Sequence, residues 1–286
     1  MNLRQVRKKI KSISNVKKIT KAMQLVSAVK MRKAQQFEID GRPYRSTLER
    51  IIEKILPTVN KKLSRLMQQS QGKSDKKLVI LISSNKGLSG AFLINLYRFM
   101  QQSKIDFSKT DFVTVGSKGA QLVSRIGAKV LADYSKAKFL SQVSSLFSFV
   151  LERFLKEEYY TISIIYNRYI SAFRSEPVED ILLPFEWREE EEEEEKFQIF
   201  EYTIEPSVQE LIEPLLKNFL EEKIRGAIIS SEAVEHAQRM MAMKNATDNA
   251  SDIIYDLTLL GNKLRQEKIT NELLDMITAK ESVEAS

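Results

Sequence analysis

The chain has 286 residues and no cysteine, which excludes disulfides, thiolate metal sites and a cysteine nucleophile. A single histidine, His236, excludes a histidine-rich metal centre, and no apolar run approaches the ~20 residues of a membrane-spanning helix. A net charge of +7, 43% hydrophobic residues and only 9 glycines describe an ordinary folded chain of one or two domains, with room for long helices.

Residues 1–36 hold Arg4, Arg7, Lys8, Lys9, Lys11, Lys17, Lys18, Lys21, Lys30, Arg32 and Lys33 and no acid. An acid-poor basic start has three readings: an organelle transit peptide, a nucleic-acid arm, or the solvated face of a helix beside an acidic partner. Within the same stretch Leu3, Val6, Ile10, Ile13, Val16, Ile19, Met23 and Val26 form a narrow apolar stripe. Its steps are mostly three and four, with an extra three near Val16 that would overwind a supercoil. The basic stretch thus continues unbroken into a structured helix, which weighs against a transit peptide. The helical pattern reaches Leu56 and stops at Pro57, with a kink expected at Gly41 and Pro43. The polar stretch "QQSQGKSDKK" reads as a loop.

The middle changes period. "KLVILIS", "DFVTVGS" and "YYTISIIYN" read as buried strands rich in β-branched residues, with helical patterns near 89–103, 117–126 and 139–157 between them. The alternation predicts an α/β domain with a largely parallel sheet. Glycines follow two strands, in "SNKGLSGA" and "GSKG", but neither has the spacing of a P-loop or a dinucleotide fingerprint. They read as tight turns opening helices. Glu189 to Glu195 form an unbroken acidic run, expected to be a solvated, disordered loop within the domain.

The last region opens on a capping box, Ser207 with Glu210, preceded by Pro206. Helical pattern then runs almost to the end, interrupted by Gly226, Ser230 and Ser231. Met243, Ala246, Ala250, Ile253, Leu257, Leu260 and Leu264 recur at alternating steps of three and four, the seam of a coiled coil against one partner helix. Continued past Leu264 the seam meets Glu267 and Asn271, so the tip is expected to be a single helix with Ile269, Leu273 and Ile277 facing another surface. Continuous helices would span about 110 Å for 207–281 and about 80 Å for the N-terminal helix. The seam is therefore assigned to the N-terminal helix, centred on Val6, Ile10 and Ile13. The predicted architecture is an α/β domain inserted between the arms of a long antiparallel coiled coil, with helices at 1–57 and 207–286 and the domain at 75–204, its acidic loop at 188–196. No catalytic, cofactor-binding or metal site is assigned. His236 has no evident nucleophile beside it, and Ser89 lacks the strand-turn-helix elbow of a hydrolase.

"ITKAMQLVSAVKMRKAQQ", "GRPY", "SSNKGLSGAFLINLY", "GSKG" and "EHAQRMMAMKNATDNASDIIYDLTLLGNKLRQEKITNELLDMI" together resemble the gamma subunit of the F-type ATP synthase, in the right order across nearly the whole chain. The resemblance implies a rotor: a coiled-coil shaft inside a head of alternating alpha and beta subunits, and a Rossmann-like α/β foot on the epsilon subunit and the ring of c subunits. Under it, ATP chemistry belongs to the head, no cofactor is bound, and the chain sits peripherally on the cytoplasmic face of a bacterial inner membrane, without a span of its own. Met23 matches the shaft position facing acidic loops of the beta subunits. Lys30 and Arg32 lie on the same basic arm, and Arg239, Gln266 and Thr270 match further rotor–stator positions. The sequence departs from the family at Asn85–Ala91, which replaces a turn usually written Asp-Arg-Gly-Leu-Cys-Gly-Gly, at Gly261, where tyrosine is usual, and in its polar tail. The alternatives are a basic coiled coil that clamps nucleic acid, against which stands the lack of any aromatic before Phe37, and the shaft of a vacuolar-type rotary ATPase, against which stands the inserted α/β domain.

Overall fold

The computed structural model describes residues 2–59, 63–68, 75–103, 105–135, 139–186 and 207–284. The acidic run Glu189–Glu195 lies outside them. The N-terminal helix α1 covers Leu3–Ile55 and opens on a reciprocal cap, in which the Gln5 backbone N–H donates to Asn2 Oδ1 and the Asn2 N–H to Gln5 Oε1. It runs on through Gly41 and Pro43, the place of the expected kink, with Pro43 inside the helix, and a 3-10 turn at Leu56–Thr58 containing Pro57 ends it. Pro43 has no N–H for the Ile39 carbonyl, while its own carbonyl accepts from the Ser46 and Thr47 hydroxyls.

Five strands follow: β1 (Lys77–Ile82), β2 (Thr110–Val115), β3 (Lys129–Asp133), β4 (Thr161–Tyr169) and β5 (Ser175–Leu183). Helices α2 (Phe92–Gln102), α3 (Ser117–Ile126) and α4 (Val143–Leu155) connect the first four. The sheet order is β3-β2-β1-β4-β5, parallel except for β5, which runs antiparallel to β4. β1, β2 and β4 are the strands legible as apolar runs, and they are buried on both faces because helices cover both sides. One core lies over Leu78, Ile80, Val113, Ile162 and Ile164 and the other over Val79, Leu81, Phe112 and Ile165. The last helix, α5, runs unbroken from Val208 to Glu284 through Pro214, Gly226 and the two serines. Ser207 caps it, accepting from the Glu210 N–H.

Two compact units emerge: residues 1–28 with 239–286, and residues 29–238. The division falls inside α1 and α5, not at the helix ends around residues 57 and 207.

Candidate rotor surfaces

In the first unit the two helices run antiparallel, and two contacts set their register. Thr20 Oγ1 lies 2.8 Å from Thr247 Oγ1, and a Cβ on Gly261 would lie 3.4 Å from Val6 Cγ1. Thr20 is as far along the chain from Val6 as Gly261 is from Thr247, so a single register carries both pairs. That register sets Leu3 opposite Leu264, Ile10 opposite Leu257, Ile13 opposite Ile254, Lys17 opposite Ala250 and Gln24 opposite Met243. Burial follows the same alternation of three and four. Val6, Thr20, Ser27, Met243, Thr247 and Ala250 are buried, and Leu3, Ile10, Ile13, Lys17, Gln24, Ile254, Leu257, Gly261 and Leu264 are half-buried.

Two expected seam residues are corrected. Ile253 is 47% exposed and Leu260 38%, while Ile254 and Gly261, one residue along, take the inner positions. Ala246 is half-buried beside Thr247. On α1 the stripe assigned to Val16, Ile19 and Val26 is exposed, and Lys17, Thr20, Gln24 and Ser27 carry the seam on in strict heptads. One residue is a 100° turn of the helix, so hydrophobicity pointed to a neighbouring stripe. The expected overwinding therefore has no counterpart. Extending the strict spacing of Leu3, Val6, Ile10 and Ile13 would have found the polar members.

The unit therefore carries apolar side chains on its outside: Val16, Ile19 and Val26 from one helix, Ile253, Leu259 and Leu260 from the other. Exposed cations from Arg4 to Lys21 flank them on α1. Beyond Leu264 every described side chain is exposed, including Ile269, Leu273 and Ile277. Of the positions matched to rotor–stator contacts, Met23 is half-buried, and Lys30, Arg32, Gln266 and Thr270 are exposed. Thr270 spends its hydroxyl on the Gln266 carbonyl at 3.0 Å. Arg239 is only 7% exposed and offers little of itself to another chain.

In the second unit the glycine turns lie at the carboxyl ends of the parallel strands, where α/β folds bind phosphates. Here the protein fills that place itself. At the start of α3 the Ser117 N–H donates to Asn85 Oδ1 at 3.0 Å, the Lys118 N–H to the Ser84 carbonyl at 3.0 Å, and the Gly119 N–H to Ser83 Oγ at 2.7 Å. These are the donors an anion would need. Gly116 has φ +108°, and a Cβ there would sit 2.4 Å from the Ser83 carbonyl oxygen, so the turn exists for close packing. In a cleft of about 540 Å³ bounded by α1, α5, β4 and β5, Arg45 pairs with Glu38 and Arg168 with Asp180. His236 is buried, with Nε2 3.7 Å from Glu232 Oε1 on the preceding turn. Tyr159 donates its hydroxyl to Asp111 Oδ2 at 2.7 Å, and burial together with that carboxylate pushes its pKa far above the ordinary tyrosine value. Among the described residues no three acidic or histidine side chains gather as metal ligands, and no helix is long and apolar enough to cross a membrane.

Residues 2–283 match the family model described as ATP synthase. A protein named ATP synthase gamma chain from Geobacter metallireducens is 35% identical over 99% of both chains, and one from Methylacidiphilum infernorum is 34% identical over 96% of this chain and 97% of its own. The chain belongs to the ATP synthase gamma-chain family. Among solved structures, a chain of the Euglena gracilis mitochondrial ATP synthase in its F1 and c-ring assembly aligns with a TM-score of 0.67, covering 99% of this chain and 95% of that one at 19% identity. A chain of the Tetrahymena thermophila central stalk and c-ring aligns at 0.59 over 80% of this chain. The shared gamma-chain fold accounts for both units, and the family match runs through the basic residues 2–36, whose cations lie on the continuous helix α1 and not on a separate arm.

Proposed function

We propose that this chain is the central rotor shaft of an ion-coupled F-type ATP synthase, carrying torque between a membrane ring of c subunits and a catalytic head of alpha and beta subunits. The observation that carries the reading is the near full-length match to gamma chains. The first unit suits the task physically. Two helices locked along a seam resist twisting better than one. The outer surface combines apolar side chains with exposed cations, and across a wet gap such cations feel acidic loops over about a Debye length, ~8 Å at physiological salt. An attraction of that range guides a turning surface without holding it.

The chain itself performs no ATP chemistry. The strand-end positions that cradle phosphate in related folds are occupied by Ser83, Ser84 and Asn85, and hydrolysis is assigned to the head. The α/β unit serves as the foot, held by the epsilon subunit and the c ring. Met23, Lys30, Arg32, Gln266 and Thr270 are proposed as contacts to the stator, Arg239 being too buried for that role. The assembly is placed at the cytoplasmic face of a bacterial inner membrane, with the chain peripheral to it, in keeping with the bacterial sources of its relatives.

The test is reconstitution. The purified chain should hydrolyse no ATP, and vesicles holding the complete enzyme should pump ions on ATP addition only when the chain is present. Turnover by the isolated chain, or coupled pumping without it, overturns the reading.

A further inference from the structure

We propose that the Thr20–Thr247 hydroxyl pair is a register pin of the shaft: a positioning pair that, within the first unit, holds which residues of α1 and α5 face each other. Both residues are buried in the seam, at 9% and 7% exposure, and their hydroxyl oxygens are 2.8 Å apart. Thr247 Oγ1 also lies 2.8 Å from the Met243 carbonyl, and Thr20 Oγ1 lies 3.1 Å from that of Lys17. Each hydroxyl has one proton. With Thr247 donating to the closer carbonyl, its lone pairs accept the proton of Thr20, and the two helices are joined by a directional bond.

The apolar layers do not define the register by themselves. Slide α5 by one heptad in one direction, and Ile10 meets Leu264, Ile13 meets Gly261 and Lys17 meets Leu257. Slide it the other way, and Leu3 meets Leu257, Val6 meets Ile254 and Ile10 meets Ala250. Aliphatic contacts survive both slips, since a heptad repeat is periodic and hydrophobic attraction has no direction. Gly261 discriminates weakly, because it has no side chain to clash with Ile13 in place of Val6. The hydroxyl pair behaves differently. In the slipped registers Thr20 faces Ile254 or a residue before Met243, Thr247 faces Ser27 or Ile13, and the Thr–Thr bond is lost. A single buried polar layer that fixes register is a known device of coiled coils, where the polar residue is usually an amide. Here two hydroxyls do the same. One heptad of slip moves one helix along the other by about 10 Å. On the shaft reading, from which this functional consequence follows, such a slip would displace the tip beyond Leu264 by that distance along the stator.

The absence of cysteine makes the test clean. Two cysteine pairs are placed in the full-length chain: Val6→Cys with Gly261→Cys, which reports the observed register, and Ile13→Cys with Gly261→Cys, which reports a slip of one heptad. In the natural threonine background oxidation should close the first pair and leave the second open. In Thr20→Val/Thr247→Val, which keeps shape and removes both hydroxyls, the slipped pair should close about tenfold more, the equilibrium worth of one net hydrogen bond. Thr20→Ser/Thr247→Ser restores the hydroxyls without the methyl groups and should return the slipped pair to background, a rescue that a mere packing role would not give. Equal cross-linking of the slipped pair with threonine and with valine overturns the pin, as does slippage of the serine variant to the valine level. Should the valine variant lose its helical circular dichroism, Thr20→Val alone, which removes the interhelical bond and leaves Thr247 on the Met243 carbonyl, takes its place under the same criterion. Cross-link yields are read on the isolated chain and pumping on the assembled enzyme, so a failed pin and a failed shaft reading give separate results.

Discussion

Replacing Gly261 with alanine should make the protein more stable, although the site lies in the seam. Glycine in a helix interior costs about 1 kcal/mol relative to alanine, because the unfolded chain loses more freedom at that residue. The added methyl group would meet Val6 Cγ1 at 3.4 Å, an ordinary van der Waals separation. It would also shield apolar surface worth a few tenths of a kcal/mol at ~25 cal/mol per Å². The two effects have the same sign and come to about 1–1.5 kcal/mol, or a rise of roughly 2–5 °C in the melting midpoint of a chain this size. Gly116→Ala is the control with the opposite expectation. Its Cβ would fall 2.4 Å from the Ser83 backbone oxygen at φ +108°, where neither the atom nor the torsion can relax cheaply. A loss of about 3 kcal/mol or more follows. Urea and thermal unfolding of the full-length variants, followed by circular dichroism, measure both. A midpoint lowered by Gly261→Ala would refute the reasoning, since it would mean that the helices at Val6 approach too closely to admit a methyl group.

Leu257→Asp should cost several kcal/mol and impair assembly or coupled pumping, whereas Ile253→Asp, on the exposed stripe, should leave stability within about 1 kcal/mol of the parent; equal unfolding costs would contradict the seam assignment. Because the Tyr159 pKa is raised in the folded state, the unfolded chain ionises this tyrosine first, so stability present below pH 10 should fall as pH rises beyond it; Tyr159→Phe should flatten that alkaline limb, and an unchanged limb would refute the role of the Asp111 bond. Truncation after Leu274 should leave an enzyme that assembles and pumps, since every residue from Arg265 to Leu274 is already exposed and the cut falls beyond the seam. Truncation after Ile253 removes Ile254, Leu257, Gly261 and Leu264 and should be far worse in the same assay; the reverse order would overturn the division into seam and tip.

Much of the fold could be read from the sequence because the signals that build it are local. β1, β2 and β4 are covered on both faces and so appear as unbroken apolar runs. β3 was missed because Lys129–Asp133 is a short edge strand, partly exposed. β5 was missed because Pro177, Glu176 and Glu179 disguise an antiparallel edge that needs no apolar face outward. The seam was legible where it is aliphatic, at Val6, Ile10, Ile13, Leu257 and Leu264, and misread where it is not. A strip such as Val16–Ile19–Val26 looks the same in sequence whether it packs within the chain or outside it. Periodicity finds a stripe but does not say what covers it. Thr20, Thr247 and Gly261 carry no hydrophobic signal, and only spacing marks them.

That outward strip has a consequence for how the cell must supply the protein. Val16, Ile19, Val26, Ile253 and Leu260, with Ile269, Leu273, Met276 and Ile277 further along, stay in water when the chain is alone. Any copy made beyond the number of waiting partners is an orphan with adhesive flanks, open to clumping and to the proteases and chaperones that survey exposed apolar surface. Synthesis of this chain is thereby tied to that of its neighbours by stoichiometry, and its half-life outside the assembly should be short.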